Sequence, residues 1–408
     1  MSGFRCRACG GGRVRLVLSL GNTPLANALL AADELGAAEA TYPLDLVFCE
    51  DCTLVQITET VPPARLFSEY AYFSSFSDTM LRHAEALAEQ VIAARRLGPD
   101  SLVAEVASND GYLLQYYRRA GVPVLGIEPA ANIARVAEER GIRTVVDFFG
   151  DTLARTLRER GDRADVIHAN NVLAHVPDLP GFARGLAALL KEDGVAIIEV
   201  PYVKDLIDHR EFDTIYHEHL SYFSLTALDR LFARHGLALQ DVERMPIHGG
   251  SLRVTVGLAG GGGALPSVDR LLREEDQWGV TRLEFYERFA DAVGELKTSL
   301  VSLLSDLRSR GKRLAAYGAA AKGSTLLNCF GIGRDFLEYA VDRSPHKQGR
   351  YMPGVHLLID APARLLRDRP DFVLLLTWNF AEEILEQQSE FRRAGGRFII
   401  PVPEVQII

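Results

Sequence analysis

The sequence predicts an α/β chain centred on a doubly wound parallel sheet, preceded by a small cysteine-bearing segment and followed by a smaller α/β segment. Three observations predict it. From about residue 78, short apolar runs alternate with stretches of helical spacing, the pattern of βαβ units. Two C-x-x-C pairs lie ahead of that alternation, and a glycine run at Gly260 to Gly263 breaks it. At 408 residues the chain also exceeds what one ordinary core holds, so two or three domains are expected. The boundaries read from these changes are 1–65, 66–258 and 259–408.

Hydrophobic residues at 48% and charged residues at 24% describe a globular chain, neither disordered nor fibrous. A net charge of −9 argues against a general nucleic-acid or anionic-membrane binder, so any anionic ligand needs local cations. There is no secretory start and no apolar run of bilayer length, which predicts a cytoplasmic protein with reduced thiols.

Four of the five cysteines, Cys6, Cys9, Cys49 and Cys52, form "CRAC" and "CEDC". Each pair lets a tight turn aim two sulfurs at one ion, and two turns complete a tetrahedral zinc site with no open position for catalysis. Disulfides are the alternative, though nothing points to export; redox chemistry needs only one pair. Cys329 reads as a buried thiol.

The expected elements then follow in order. "MLRHAEALAEQVIAARR" has helical spacing, "SLVAEVA" is a buried strand, and "SNDGYLLQYYRRA" turns into a helix. Strands at "PVLGIEP", "ADVIHAN" and "GVAIIEVP" alternate with helices at "NIARVAEER" and "FARGLAALLKED". "HGGSLRV", His248 to Val254, reads as a tight turn into a strand. After the glycine run, Phe285, Phe289, Val293, Leu296, Leu300, Leu304 and Leu307 mark one face of a long helix. Packing on the neighbouring domain is the preferred reading of that face, a coiled-coil seam the other. "RLAAYG", "LEYAVD", "FVLLLT" and "RFIIP" supply strands of the last segment.

Three places look like ligand sites. In "EVASNDGYLL", between strand and helix, Gly111 allows close backbone approach and Glu105 and Asp110 offer carboxylates. Glu128 ends the next strand 23 residues after Glu105, where a carboxylate can accept from ribose hydroxyls. A first loop so acidic suits a cationic adenosine ligand, S-adenosylmethionine, better than a diphosphate; the competing reading is that these acids only cap helices. The second place is "YHEHLSYFS", with Tyr216, His217, Glu218, His219 and Tyr222. A base, a carboxylate to orient it and phenol donors are what proton removal beside a ketone requires. In an extended segment His217 and His219 would point together, a rule that lapses in a loop. H-x-H can also be half of a metal site.

In order, "CRAC…CEDC", "SEYAYFSSFSDT", "EVASNDGYLL", "GIEPAANIA", "NNVLAHVPD", "YHEHLSYFS", "HGGSLRV" and "YGAAAKGSTLLN" resemble the sugar C-methyltransferases of deoxysugar pathways, over essentially the whole chain. Ala107 departs from the glycine expected there. The resemblance implies an N-terminal zinc domain, a central class I methyltransferase (Rossmann-like) domain and a C-terminal Rossmann-like α/β domain. It implies methyl transfer from S-adenosylmethionine to a carbon of a nucleotide-diphosphate keto sugar, thymidine being the usual nucleoside, with C3 beside a 4-ketone expected and C5 the alternative. His219 is favoured as base, with Tyr216, Glu218, His175 and Tyr70 beside it. The cofactor set is completed by Asn109, Pro129, Asp147, Phe148, Asn170 and Asn171.

"RLAAYGAAAKGST" is close to a dinucleotide fingerprint, with Asp342 24 residues after Gly318. Amides at its helix start could grip a diphosphate, with Lys322 beside them and Lys347 and Arg350 near in sequence. The expected substrate set is Tyr72, Tyr222, Arg253, Lys322, Gly323, Ser324, Lys347 and Arg350. An NAD-dependent oxidoreductase acting on a nucleotide sugar is the competing enzyme class, and a zinc-bearing ligand sensor a third. A monomer or loose dimer is expected, without nucleic-acid or membrane partners.

Overall fold

The computed structural model describes residues 3–67, 74–76, 78–246 and 249–408. The expectations placed on Tyr70, Tyr72 and His248 lie outside the described residues.

Strands β1 (Val14–Pro24), β2 (Thr41–Cys49) and β3 (Val55–Ile57) open the chain. The central segment holds β4 (Val103–Val106), β5 (Val124–Ile127), β6 (Thr144–Val145), β7 (Ala164–Asn170), β8 (Leu190–Pro201), β9 (Ser221–Tyr222), β10 (Leu237–Met245) and β11 (Ser251–Leu258). The last segment holds β12 (Leu314–Tyr317), β13 (Ala340–Val341), β14 (Ile359–Asp360), β15 (Phe372–Leu375), β16 (Arg397–Ile400) and β17 (Gln406–Ile407).

They form three sheets. The central one has the order β10-β11-β8-β7-β4-β5-β6. Its five strands β4 to β8 are parallel, while β11 and β10 add an antiparallel edge. The third sheet, β14-β13-β12-β15-β16-β17, is parallel except for β17. The first sheet, β1-β2-β3-β9, is antiparallel and takes its last strand from far along the chain. That crossing has no local signal in the sequence.

Local chemistry explains some element ends. The helix Leu179–Leu189 starts where Asp178 accepts from the Gly181 amide at 2.9 Å, with proline in its first turn. The helical reading of "FARGLAALLKED" runs too far: the chain turns extended at Leu190, which pairs with Ala164. Ladder pairing there overrides the helix propensity of Lys191 and Glu192. The helix Leu225–Ala233 is capped by Ser224, and the fully buried Glu275 accepts from the amides of Leu225 and Thr226.

The long helix spans Leu283–Ser309, and all seven residues of its anticipated apolar face are buried. They pack with Val17, Phe48 and Ile57 of the first sheet and Leu314, Ala316 and Leu374 of the third. Full burial of such side chains is worth about 1.5–3 kcal/mol each. The stripe is therefore used up inside the chain rather than left as a dimer seam.

Candidate active site

A cavity of about 840 Å³ opens at the carboxyl ends of β4, β5, β6, β7 and β8, the rim where open α/β sheets bind ligands. Each strand end contributes: Ala107 and Asn109, Glu128 and Pro129, Asp147 and Phe148, Asn170 and Asn171, then Pro201 and Tyr202. The lining also includes His175, Glu211, Tyr216, Glu218, His219, Tyr222 and Lys322, together with Asn27, Gly249 and Gly250.

The turn after β4 is unusual in its backbone. Ala107, Asn109 and Gly111 have φ of 54°, 49° and 78°. Asparagine tolerates this region and glycine enters it freely, but alanine is strained there. Gly111 has a second constraint, since a Cβ would sit 2.1 Å from Ile142 Cδ1. Glu128 holds the turn by accepting from the Asn109 and Ala130 amides, both at 2.9 Å. A carboxylate offers about four lone-pair sites, so acceptor capacity remains for a ribose. Burial pushes the Glu128 carboxyl above its ordinary range.

Glu105, Asp110 and Gly111 of the expected cofactor set shape this site without lining it. Glu105 is buried beneath the turn, and burial with the nearby Glu128 and Asp110 raises its carboxyl well above the usual range. Asp110 is buried and ion-paired with Arg140 at 3.2 Å. The open acidity anticipated for the loop is thus partly neutralised. Asn170 presents a buried Oδ1 with no hydrogen-bond partner, a waiting acceptor at the cavity wall.

Residues 216–220 bend and turn ahead of β9, so the alternation of an extended strand does not apply to His217 and His219. His217 is buried and donates from Nε2 to the Pro43 carbonyl at 3.1 Å, away from the cavity lining. His219 Nδ1 lies 3.0 Å from the Thr214 carbonyl, which can only accept, so Nδ1 carries the proton. In the neutral ring Nε2 is then the lone pair, and the Tyr216 hydroxyl donates to it at 3.1 Å. His175 stands beside this pair, its ring centroid 4.9 Å from that of His219. Its Nδ1 donates to the Glu218 carbonyl at 2.6 Å, and burial lowers its basicity. Asn27 donates to Glu218 Oε1 at 2.6 Å, while burial raises that carboxyl.

The expected substrate set divides. Tyr222 and Lys322 line the cavity. Arg253 does not: it is bound to Glu199 at 2.7 Å and to His83, a consequence of its register on β11 opposite Glu199. Lys347 donates to the Ala319 carbonyl, and Arg350 reaches the Leu29 carbonyl. Gly323 and Ser324 are buried in the helix Ala321–Phe330, where a Cβ on Gly323 would meet Leu376 Cβ at 2.9 Å. Asp342 accepts from the Ala319 and Ser344 amides, so its carboxylate closes its own turn.

Glu211 is a cavity residue that sequence reasoning missed. It is 3% exposed, with Lys322 Nζ 3.9 Å from its Oε2, and Lys322 lies over the Trp378 ring. Burial, with Asp213 nearby against the pull of Lys322, pushes its carboxyl up to about 7. No motif marks it, because its partner comes from the third sheet's segment.

The four thiols converge as the spacing predicts. Their sulfurs all lie within 4.8 Å of one another, Cys6 and Cys52 at 3.4 Å and Cys9 and Cys49 at 3.6 Å. Tetrahedral zinc with bonds of ~2.3 Å sets sulfurs about 3.8 Å apart, so the set fits that ion and not a disulfide pair.

Comparison with known proteins agrees. A family described as a putative zinc binding domain matches residues 6–67, a methyltransferase domain family matches 80–242, and a C-methyltransferase C-terminal domain family matches 246–403. The C-methyltransferase NovU of Streptomyces niveus is 37% identical over 99% of this chain and 96% of its own length. A ubiquinone biosynthesis O-methyltransferase of Methylobacterium nodulans is 35% identical over 22% of this chain and 37% of its own. The magnesium protoporphyrin IX methyltransferase of Synechocystis PCC 6803, solved with bound S-adenosylhomocysteine, is 14% identical with a TM-score of 0.36, covering 44% of this chain and 83% of that one.

The chain is therefore an S-adenosylmethionine-dependent methyltransferase with a zinc-binding segment. It belongs to the C-methyltransferase family, as the ordered motifs anticipated. Membership decides against the nicotinamide reading. Among the described residues no helix is long and apolar enough to cross a membrane.

Proposed function

We propose that this C-methyltransferase acts on a nucleotide-linked 4-keto deoxysugar and methylates C3, the carbon beside the ketone. The observation that carries the reading is the His219 pair: an imidazole with Nδ1 tied to a carbonyl and Nε2 directed by a phenol, in the cavity that also holds Glu128 and Asn170. An isolated imidazole of pKa ~6.5 is too weak to deprotonate carbon unaided, so donors must stabilise the developing enolate. His219 Nε2 takes the proton, and the C–H electrons delocalise onto the ketone oxygen. The Tyr216 hydroxyl, released from Nε2 as that nitrogen protonates, turns to the oxygen, with Tyr70 as a second donor. His175 and Glu218 keep the base in place. Glu128, Asn109, Pro129, Asp147, Phe148, Asn170 and Asn171 hold S-adenosylmethionine, which when bound supplies an electrophilic methyl group. Lys322 and Tyr222 face the sugar side. Cys6, Cys9, Cys49 and Cys52 hold zinc in a closed sphere, which organises the chain and does no chemistry.

The test is mass spectrometry of a small panel of keto-sugar nucleotides in deuterated water, with and without labelled methyl donor. Wild-type protein should methylate C3 and, without donor, exchange deuterium into C3. His219→Asn should lose about 100- to 10,000-fold of both activities while binding the cofactor normally. Near-normal exchange in that variant removes His219 from the role, and label at C5 moves the site of methylation.

A further inference from the structure

We infer that Gln56 is a positioning residue: it couples the four-cysteine cluster to the turn that carries His219. This rests on His219 being the base. The chain gives the coupling a short path. β3 begins three residues after Cys52, and β9 begins two residues after His219. The two strands pair antiparallel, Val55 with Tyr222 and Gln56 with Ser221, and the Ile57 amide donates to the Leu220 carbonyl at 3.0 Å. The backbone of β3 therefore pins the chain directly after the turn that carries His219.

The Gln56 side chain points the other way, into the cysteine cluster. It is 0% exposed on a strand otherwise made of valine and isoleucine. A buried primary amide is costly unless all its groups are bonded. Here Nε2 donates to Cys6 Sγ at 3.1 Å, and Oε1 accepts from the Arg7 amide at 3.0 Å. Arg7 then carries the link onward through the carbonyls of Ile57 and Glu59. The Gln56 side chain thus orients a metal-binding sulfur, while the backbone of its neighbour Ile57 holds Leu220, the residue after His219. Hydrogen bonds to ligating atoms are known to tune both metal affinity and activity.

The rest of the turn is gripped by the same segment. His217 donates to the Pro43 carbonyl, and Asn27 donates to Glu218. The short helical turn Leu173–His175, which follows β7, contributes the Ala174 carbonyl, which accepts from the Leu220 amide at 2.7 Å. A loosened β3 would free Leu220 to Tyr222 first, and the aim of His219 with them.

The test uses full-length, zinc-loaded protein and Gln56→Met, which keeps the volume and removes the amide's hydrogen bonds. Hydrogen exchange is followed in peptides covering 53–58 and 216–224, and zinc release to a chelator is timed. The variant should exchange and release zinc about 10- to 100-fold faster. Peptides covering 103–106 and 314–317 should not change, and cofactor affinity should stay at the wild-type value while kcat falls. Unchanged exchange over 216–224, or an equal rise in all three sheets, overturns the coupling. Should Gln56→Met fail to fold, graded zinc removal from the wild-type chain gives the same readout. Exchange and metal release need no turnover, so this outcome is independent of whether His219 is the base.

Discussion

Gly111→Ala is the sharpest test of the cofactor turn. The new methyl group would sit 2.1 Å from Ile142 Cδ1, and Ile142 is itself buried against Ala137. Forcing that contact costs about 1–3 kcal/mol. The backbone at φ 78° adds about 1–2 kcal/mol for an alanine. The sum, about 2–5 kcal/mol, must appear either as lost stability or as a turn that relaxes away from Glu128 and weakens cofactor binding. Thermal unfolding and calorimetric titration with S-adenosylmethionine together capture both outlets. Ala107→Gly is the companion of opposite sign. It relieves ~1–2 kcal/mol of left-handed strain and gives back ~0.5–1 kcal/mol of chain entropy, for a small net stabilisation. A Gly111→Ala variant within 0.5 kcal/mol of wild type by both measurements refutes the reasoning, as does a destabilised Ala107→Gly.

Glu128→Ala should weaken S-adenosylmethionine binding about 10- to 100-fold, since hydrogen bonds to a charged group are worth about 1.5–3 kcal/mol; unchanged affinity by calorimetry would show the ribose assignment to be wrong. Glu211 gives a pH dependence with a definite sign. Its carboxyl rises from 4.5 in the unfolded chain to about 7 in the folded one, so between these values only the folded chain holds the proton. Stability therefore falls as pH rises through that window and is level above it. Glu211→Gln should flatten the dependence and stabilise the protein at pH 8 by about 1–3 kcal/mol, read from urea unfolding across pH; an unaltered profile would place the group's titration elsewhere.

Much of the frame was legible because it is written in short-range patterns. The βα alternation, the apolar face of Leu283–Ser309 and the two C-x-x-C turns each depend on residues a few positions apart. That the 216–219 turn lines the cavity was legible by composition, since packing alone rarely asks for Tyr216, Glu218 and His219 together. Its geometry was not. Whether His217 or His219 faces the cavity depends on the Pro43 and Thr214 carbonyls, and one of these lies 174 residues away.

The basic residues show the same division. Arg253, Lys347 and Arg350 carry the charge an anionic ligand wants, yet Glu199, the Ala319 carbonyl and the Leu29 carbonyl claim them. Charge is a property of the residue, whereas availability depends on which neighbours the fold delivers. The amino-acid order by itself determined the central βα alternation, the long apolar-faced helix, the thiol set and the inventory of acids and bases. Only tertiary structure decided that β9 joins β3, that Glu211 meets Lys322, and which imidazole nitrogen is left with a lone pair. Those contacts join segments far apart in the chain, and they form only when several cores close together.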